Sequence, residues 1–249
     1  MTHAAENTHW YTKDGEPAYE VPAAKGGNRP TTLRDARKLG LVPSVTTIIR
    51  CAAAPGLERW KQEQVLHAAL TLPRLPDQSE SDWIEKVWAD SKEQGKKAAE
   101  RGTAIHAAIQ GYYEGKTPDV AFGTCVSGTE KAIFESFGEQ DWDAEASFSH
   151  TSGYGGKIDL SAASGIVADF KTTEKPLDDL KTWDEHAMQL AAYREGLKMP
   201  SARCAIVYVS VTEPGKARVI ELPEDELKQG WGMFQGLLNY WYAKTGLAR

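Results

Sequence analysis

The sequence predicts an α/β protein with a mixed central β-sheet flanked by helices and a helical N-terminal part. Three observations favour this class. Helical patterns dominate residues 43–137, short apolar and β-branched segments follow over 144–172, and a helical segment separates the last two predicted strands. The connection between those two strands is long enough for a right-handed crossover, so we expect them to be parallel.

The elements follow from local patterns along the chain. Residues 1–42 form an N-terminal extension, in which Asp14-Gly15 and Gly26-Gly27 predict a short hairpin. Residues 43–249 form the main domain, with a helical part over 43–137 and with the sheet and its flanking helices over 144–244. The predicted helices are 34–38, a segment beginning at Leu57, 82–114, 127–137, 177–197 and 224–244, with a loop over 72–81. The predicted strands are 144–149, 155–161, 165–172 and 202–211.

The composition is that of a globular protein. Of 249 residues, 41% are hydrophobic and 26% are charged, which excludes disordered and low-complexity classes. No apolar run reaches the roughly 18–20 residues of a membrane span, and the first residues lack a signal-peptide pattern. Cys51, Cys125 and Cys204 are odd in number and far apart, which favours free thiols in a reducing compartment. We therefore expect a cytoplasmic protein with no membrane partner.

The formal net charge of −6 argues against a protein coated in positive charge for non-specific nucleic-acid binding. It does not exclude a nucleic-acid enzyme, because a site that collects carboxylates for metal ions adds negative charge that the metals offset. Charge alone therefore leaves the class of partner open.

Residues 155–173 predict a β-hairpin whose strands carry charges. Asp159 interrupts the first strand, and Asp169 and Lys171 interrupt the second, although such residues are unfavourable in a half-buried sheet. The side chains of residues 169 and 171 share a face because the residues are two apart. The hairpin therefore concentrates three charges in one small part of the sheet.

The length of the hairpin loop decides how the two aspartates are arranged. A three-residue loop over 163–165, with its glycine in the left-handed region, pairs Ala162 with Ile166 and places Asp159 opposite Asp169. A two-residue loop would place the aspartates on opposite faces. Opposed carboxylates repel unless a cation lies between them, and such oxygen ligands suit Mg²⁺ or Mn²⁺. The alternative is an amphipathic hairpin that exposes its charges to solvent as ordinary ion pairs.

Two helical motifs bear on whether the hairpin forms a metal site or exposes its charges to solvent. Gln189 and Tyr193 are four residues apart, so an amide and a phenol project from one face of a helix, either into a site or as part of a polar surface. On an earlier helix, Ala99, Gly102, His106 and Ile109 form a stripe whose small residues permit close packing. His106 is either a metal ligand or a core histidine.

The ordered set of motifs resembles the PD-(D/E)XK nuclease superfamily. Within it, the chain is most similar to the RecB-type exonuclease branch, which includes phage-encoded exonucleases and the mitochondrial genome-maintenance exonuclease. The resemblance covers residues 43–243 and rests on Gly-x-x-x-His ending at 106, Gly-Lys-x-Asp ending at 159, Asp-x-Lys over 169–171 and Gln-x-x-x-Tyr over 189–193. Residues 43–49 and 55–60 are also similar to the N-terminal part of phage members. Each motif alone is unspecific, whereas their order is specific.

The resemblance implies a restriction-endonuclease-like core and a Mg²⁺- or Mn²⁺-dependent DNA exonuclease with one or two ions. The implied metal ligands are the carboxylates of Asp159 and Asp169, the side chain of His106 and the carbonyl of Phe170. Lys171 would assist the attacking water, while Gln189 and Tyr193 would organise the site or the DNA. The partner would be linear DNA with single- or double-stranded ends, in viral or bacterial recombination, repair or degradation, and in the host cytoplasm for a phage protein.

The chain departs from the wider family in two ways. Ile158 stands where many members have a proline before the first aspartate, as is common in the RecB-type branch. Some members of that branch hold an iron–sulfur cluster with four cysteines, whereas this chain has three, so we expect no cluster.

Further residues allow two interpretations each. Glu145 is either an additional acidic site residue or an exposed strand glutamate, and His186 either faces the site or lies on the helix surface. A basic track on the long helix either binds phosphates or is a solvated face: Lys92, Lys96, Lys97 and Arg101. An apolar, mostly aromatic stripe on the last helix indicates core packing rather than base stacking: Trp231, Phe234, Leu238 and Trp241.

The leading hypothesis is a metal-dependent DNA exonuclease. A structure-specific or restriction-like endonuclease is the alternative within enzymes, because loops set substrate access on a shared core. A catalytically silent DNA-binding module is an alternative from another class, although such a module has no need of Asp159, Asp169 and Lys171 together. A further alternative is a protein whose hairpin merely exposes its charges to solvent. Under this alternative, the matches at His106 and at Gln189 and Tyr193 are coincidences.

Overall fold

The computed structural model describes residues 9–53 and 55–249, so residues 1–8 of the predicted N-terminal extension lie outside the described residues. Contacts within the chain define two compact units. The smaller unit is Ala53–Ala107, and the larger unit joins the residues before it to Ala108–Arg249. The domain division that we place after residue 42 stays a prediction.

Short elements form the N-terminal part of the larger unit. They are β1 (Trp10–Tyr11), β2 (Glu20–Pro22), β3 (Asn28–Pro30), α1 (Leu33–Leu39), β4 (Val42–Pro43) and α2 (Val45–Ile49). β2 and β3 pair antiparallel around Gly26 and Gly27, which both have positive φ, as the predicted hairpin requires. The Thr32 hydroxyl accepts a hydrogen bond from the Asp35 N–H at the start of α1, and Gly40 ends that helix in the left-handed region. β1 pairs with β4, which ties the N-terminal segment to the residues before α2.

The smaller unit contains α3 (Pro55–Thr71) and most of α4 (Glu80–Tyr113). The loop between them lies where it is predicted, and Trp83 Nε1 donates to the carbonyl of Leu72 at 2.8 Å. On α4, Lys96 and Lys97 are exposed and pair with glutamates one turn away. These pairs favour a solvated helix face over a phosphate track.

The remaining elements build the central sheet of the larger unit. They are α5 (Gly123–Phe137), β5 (Trp142–His150), β6 (Tyr154–Ala162), β7 (Ile166–Thr173), α6 (Asp184–Gly196), β8 (Arg203–Ser210), β9 (Ala217–Glu221) and α7 (Glu224–Thr245). The strand order is β5-β6-β7-β8-β9, with β7 and β8 parallel and the other neighbours antiparallel. Helix α5 contacts β8 and β9, whereas α6 contacts β6, β7, β8 and α7. The predicted α/β class, its mixed sheet and its parallel crossover are confirmed.

None of the described helices is long and apolar enough to cross a membrane.

Two features of the sheet region differ from the prediction. The helix expected from residue 177 begins only at Asp184, because Leu177–Asp179 is a single 3-10 turn and Leu180 is extended. At the true start of α6, His186 Nδ1 accepts a hydrogen bond from the Trp183 N–H at 3.1 Å. Strand β9 has no predicted counterpart, because it is a short edge strand of five residues, two of which, Arg218 and Glu221, are charged.

Helix α6 is the central helix of the core. All of its residues from 186 to 194 are buried, including its polar side chains. Helix α7 lies close against it, because a Cβ at Gly230 would overlap the backbone of Ala187. Phe234, Leu238 and Trp241 of α7 are buried in the same core, which confirms the core-packing interpretation of this stripe. The packing holds α6 firmly over the sheet and fixes the side chains that it directs towards β7.

Candidate active site

The site begins with the loop of the β6–β7 hairpin. Ala162 is paired with Ile166, and the loop contains three residues. Gly165 has a φ of +98°, and its N–H donates to the carbonyl of Ala162 at 2.9 Å. The predicted loop length and register are confirmed, and continuing this register puts Asp159 opposite Asp169.

The two strands separate at the aspartates. Their regular pairing ends at Leu160 and Ala168, one position before Asp159 and Asp169 meet. The Phe170 N–H donates at 2.8 Å to Asp159 Oδ2, so a side-chain carboxylate takes the place of a strand carbonyl. In an antiparallel strand the N–H and C=O of one residue point to the same side, so the Phe170 carbonyl is also directed towards the Asp159 side.

Asp169 lies at the buried end of this gap. Its side chain is almost fully buried, and its Oδ1 accepts a hydrogen bond from Gln189 Nε2 at 2.6 Å. Its Oδ2 is ion-paired with Lys171 Nζ. A buried carboxylate oxygen with lone pairs left over is unusual, because buried acceptors are normally satisfied. This oxygen therefore has the capacity to accept a further ligand.

Gln189 connects the charged groups. Its amide nitrogen donates to Asp169 and also to the Tyr193 hydroxyl at 2.9 Å, while its amide oxygen accepts from Lys171 Nζ at 3.2 Å. Tyr193 is buried, and burial together with the nearby carboxylates of Asp169 and Asp159 raises the pKa of its phenol well above 10.0. The structure thus brings Asp159, Asp169, Lys171, Gln189 and Tyr193 into one cluster, and their catalytic roles stay predictions.

The charges in this cluster shift one another. Burial and then the Asp169 carboxylate raise the pKa of Asp159 to about 7, although the Phe170 N–H and the lysines oppose the shift. For Lys171, burial lowers the pKa of the ammonium, but the carboxylates of Asp169 and Asp159 outweigh it, so the pKa is raised. Lys171 is therefore positively charged at neutral pH. The Asp169 carboxylate repels negative charge on Asp159, so Asp159 loses its proton less readily than an ordinary aspartate.

His186 lies at the edge of the cluster, at the first turn of α6. It is buried, and its Nδ1 lies 3.4 Å from the Tyr208 hydroxyl besides accepting from the Trp183 N–H. Burial, followed by the charge of Lys171, lowers the pKa of His186 to about 4. The ring is neutral at physiological pH and caps the helix, so a positioning role is consistent with its contacts.

Glu145 and Lys157 form an ion pair on the strands beside Asp159. The register of β5 and β6 pairs Ala144 with Leu160 and Ala146 with Ile158, so Glu145 is opposite Asp159. Glu145 has a φ of +61°, a strained value for a non-glycine residue within a strand, and its carboxylate meets Lys157 Nζ.

Lys157 belongs to the Gly-Lys-x-Asp motif, but no role was predicted for it from the sequence. Its place two residues before Asp159, in Gly-Gly-Lys-Ile-Asp, is the signal that could have identified it, because residues two apart on a strand share a face. The contact with Glu145 was not predictable in the same way, since it depends on the left-handed backbone of Glu145.

The oxygen donors of the site fit a hard divalent cation. Within residues 9–53 and 55–249, no group of three or more His, Cys, Asp and Glu side chains is placed to hold a metal ion. Mg²⁺, however, is commonly bound by one or two carboxylates and keeps several waters. Asp159, the Oδ2 of Asp169 and the Phe170 carbonyl are oxygen donors of this kind, although Lys171 already contacts the Asp169 oxygen.

His106 lies on α4 in the smaller unit and is half-buried. Of the stripe predicted around it, Gly102 and Ile109 are buried. Ala99 is exposed, so the predicted stripe is wrong at its first position, where the helix faces solvent. The role of His106 as a metal ligand stays a prediction.

Comparison with known proteins gives no family assignment. No protein-family model matches the chain, and no curated protein matches it. One solved structure, of a protein from Eubacterium rectale provisionally named an exonuclease, is 13% identical and covers 59% of this chain and 69% of its own, with a TM-score of 0.43. Another, the protein SSO0001, is 16% identical and covers 74% of this chain and 86% of its own, with a TM-score of 0.30. At these values neither similarity indicates which residues of this chain are functional.

Proposed function

We propose that this chain is a metal-dependent nuclease that hydrolyses phosphodiester bonds in DNA, acting as an exonuclease on linear molecules. The observation that carries the proposal is the aspartate pair at the separated end of the β6–β7 hairpin, with Lys171 beside it. Two opposed, largely buried carboxylates repel unless a cation joins them. The mixed sheet and the order of motifs also match the resemblance to the PD-(D/E)XK superfamily and its restriction-endonuclease-like core.

In this proposal Asp159, Asp169 and the Phe170 carbonyl would hold one or two Mg²⁺ or Mn²⁺ ions. The cation would supply Lewis acidity to the attacking water and to the scissile phosphate. Hydrolysis joins the water oxygen to phosphorus and breaks one P–O ester bond, which leaves a phosphomonoester and an alcohol. The site must therefore orient a water and stabilise the negative charge that develops on the phosphate.

The side chains around the aspartates suit these two tasks. Lys171 keeps its proton because both carboxylates raise its pKa, so it acts as a charged hydrogen-bond donor rather than as a base. Gln189 holds the ammonium of Lys171 and the carboxylate of Asp169 in fixed positions through one amide. Tyr193 stays a neutral phenol that supports the Gln189 amide.

A cleavage assay tests the proposal. End-labelled single-stranded and double-stranded linear DNA and closed circular DNA are incubated with Mg²⁺, Mn²⁺ or EDTA. We expect linear DNA to be degraded only with a metal, while circles stay intact. Nicking of the circles would favour the endonuclease alternative. Absence of metal-dependent cleavage of every substrate would contradict the proposal and favour a DNA-binding module.

Substitution of Asp169 is expected to abolish this cleavage. Asp169→Asn keeps the shape of the side chain but removes its charge, so we expect the rate to fall about a hundredfold or more while the melting temperature hardly falls. The matched control is Asp143→Asn on β5, because Asp143 is exposed and lies on the neighbouring strand. The control should cleave at the wild-type rate. Wild-type cleavage by Asp169→Asn would remove Asp169 from the site.

A further inference from the structure

Two aromatic rings near the start of the chain form an accessible stack. The ring centroids of His9 and Tyr19 are 4.5 Å apart, and their planes differ by 25°. His9 is exposed and Tyr19 is partly exposed. The Tyr19 hydroxyl shares a 2.6 Å hydrogen bond with the hydroxyl of Tyr11, whose buried ring meets Tyr19 edge-on at 5.6 Å. The stack is thus held from within the protein and accessible from outside.

The stack is attached to the strand that carries Asp159. The Ser44 N–H donates to the His9 carbonyl at 3.0 Å, and Ser44 forms a parallel bridge with Gly155 on β6. A Cβ at Gly155 would lie 2.7 Å from the Cβ of Tyr11, so only glycine permits this close approach. Gly155 is four residues before Asp159, which corresponds to about 13 Å along an extended strand. The stack therefore lies within a few nucleotides' length of the aspartate pair.

One cation, Lys157, lies on the strand between the stack and the aspartates and is ion-paired with Glu145. Lys157 lies midway between Gly155 and Asp159, and 37% of its side chain is exposed although it contacts Glu145. Partial burial of the ring lowers the pKa of His9, and the charges of Arg50 and Lys157 lower it further. His9 is therefore a neutral ring with two cations near it. A lysine ammonium has three donors, so Lys157 can bind a phosphate oxygen and Glu145 together.

We propose that His9, Tyr19 and Lys157 form a nucleotide-binding subsite next to the candidate active site, which takes an unpaired nucleotide of a single-stranded DNA end. The base stacks on the His9–Tyr19 ring pair, and its backbone phosphate contacts Lys157. The inference rests on the proposed nuclease function and adds the substrate class, single-stranded DNA. An aromatic ring stacks on a base only when the base is unpaired, and such stacking tolerates any sequence.

Abasic oligonucleotides test the subsite directly. Single-stranded DNA oligonucleotides, each with one abasic position at a different distance from the end, are compared in two measurements. One is cleavage with Mn²⁺ at low DNA concentration, and the other is binding in EDTA by fluorescence anisotropy. For the wild type we expect one position at which loss of the base weakens cleavage and binding about tenfold, the lower part of the range for base–aromatic stacking.

Variants link that position to the stack. Tyr19→Ala should bind intact DNA about tenfold more weakly and show no further loss at the abasic position, because the partner ring is gone. Tyr19→Phe should keep the position dependence. His9→Ala, at an exposed residue, provides a second variant if Tyr19→Ala does not fold. Tyr240→Ala is the matched control, because Tyr240 is an exposed tyrosine with Lys244 over its ring on α7.

The outcomes separate the subsite from the nuclease function. Cleavage of intact DNA without any abasic position dependence would overturn the subsite and leave the proposed nuclease intact. A position dependence that persists in Tyr19→Ala would also overturn it. A position dependence in the binding measurement without cleavage would support the subsite and contradict the nuclease function, and absence of both binding and cleavage would overturn both.

Discussion

Gln189 is the residue whose chemistry best explains the arrangement of the cluster. An amide donates and accepts at once, so one side chain holds the carboxylate of Asp169 and the ammonium of Lys171. A glutamate at this position could only accept, and it would add a third carboxylate to an already repelling pair. The amide is thus the neutral group that fixes both charges without adding another.

The raised pKa of Asp159 predicts how the stability of the metal-free protein depends on pH. Its pKa is about 7 in the folded protein, against 3.8 for an ordinary aspartate, so between these values the folded state binds more protons than the unfolded state. The free energy of unfolding therefore falls as pH rises through this range. The asparagine of Asp159→Asn does not titrate and can still accept the hydrogen bond from the Phe170 N–H. The free energy of unfolding of this variant minus that of the wild type should therefore increase from about pH 5 to about pH 8.

Urea unfolding in EDTA at the two pH values measures this difference. Asp143→Asn serves as the control again, because its exposed carboxylate is outside the cluster. The control should follow the wild type at both pH values. A constant difference between Asp159→Asn and wild type would show that the Asp159 carboxyl titrates normally.

At the scale of single residues, sequence reasoning found the groups that local periodicity brings together. Asp169 and Lys171 are two apart on a strand, and Gln189 and Tyr193 are one helical turn apart, so their shared faces were predictable. The contacts between those pairs depend on how α6 packs on β7. The His9–Tyr19 stack was not predicted, because it forms across a turn of irregular chain that has no period.

At the scale of elements, the hairpin loop determines the site. A loop of three residues puts Asp159 opposite Asp169, and the strands then separate so that the Asp159 carboxylate meets the Phe170 N–H. The left-handed φ of Gly165 makes this loop possible. The glycine therefore sets the register of the aspartates without touching them.

Two glycine-to-alanine substitutions should have opposite effects on stability. At Gly165 the nearest heavy atom to a new Cβ is 4.0 Å away, so only the positive φ opposes alanine, and we expect a loss of about 1 kcal/mol. At Gly232, in open space on α7, alanine should stabilise by about 0.5–1 kcal/mol. Chemical denaturation measures both. Equal stabilisation at the two positions would contradict the left-handed loop.

The fold was predictable wherever an element has a strong local pattern. The strands β5 to β8 and the helix α7 lie within a few residues of their predicted bounds. The predicted start of α6 was wrong, because the residues after Pro176 form only a single 3-10 turn and an extended Leu180 before the Trp183–His186 cap. Strand β9 is stabilised by its antiparallel pairing with β8 across a short connection, which its own five residues do not indicate.

At the scale of the whole molecule, the net charge of −6 opposes the approach of DNA. Binding of a polyanion must then depend on local cations and on metal ions that offset the aspartates. Lys157 and Lys171 are the local cations beside the candidate site. A divalent metal ion on the aspartate pair would offset the negative charge of the aspartates, and its binding would also stabilise the folded chain.

Metal-dependent thermal unfolding therefore tests the central claim, that Asp159 and Asp169 bind a divalent cation. A ligand that binds only the folded state at about 100 times its Kd adds about 2.7 kcal/mol, which raises the melting temperature of a chain of this size on the order of 5–10 °C. We expect Mn²⁺ or Mg²⁺ to raise the melting temperatures of the wild type and of Asp143→Asn by such an amount relative to EDTA, and those of Asp159→Asn and Asp169→Asn hardly at all. Equal shifts in all four proteins, or no shift in the wild type, would contradict the claim.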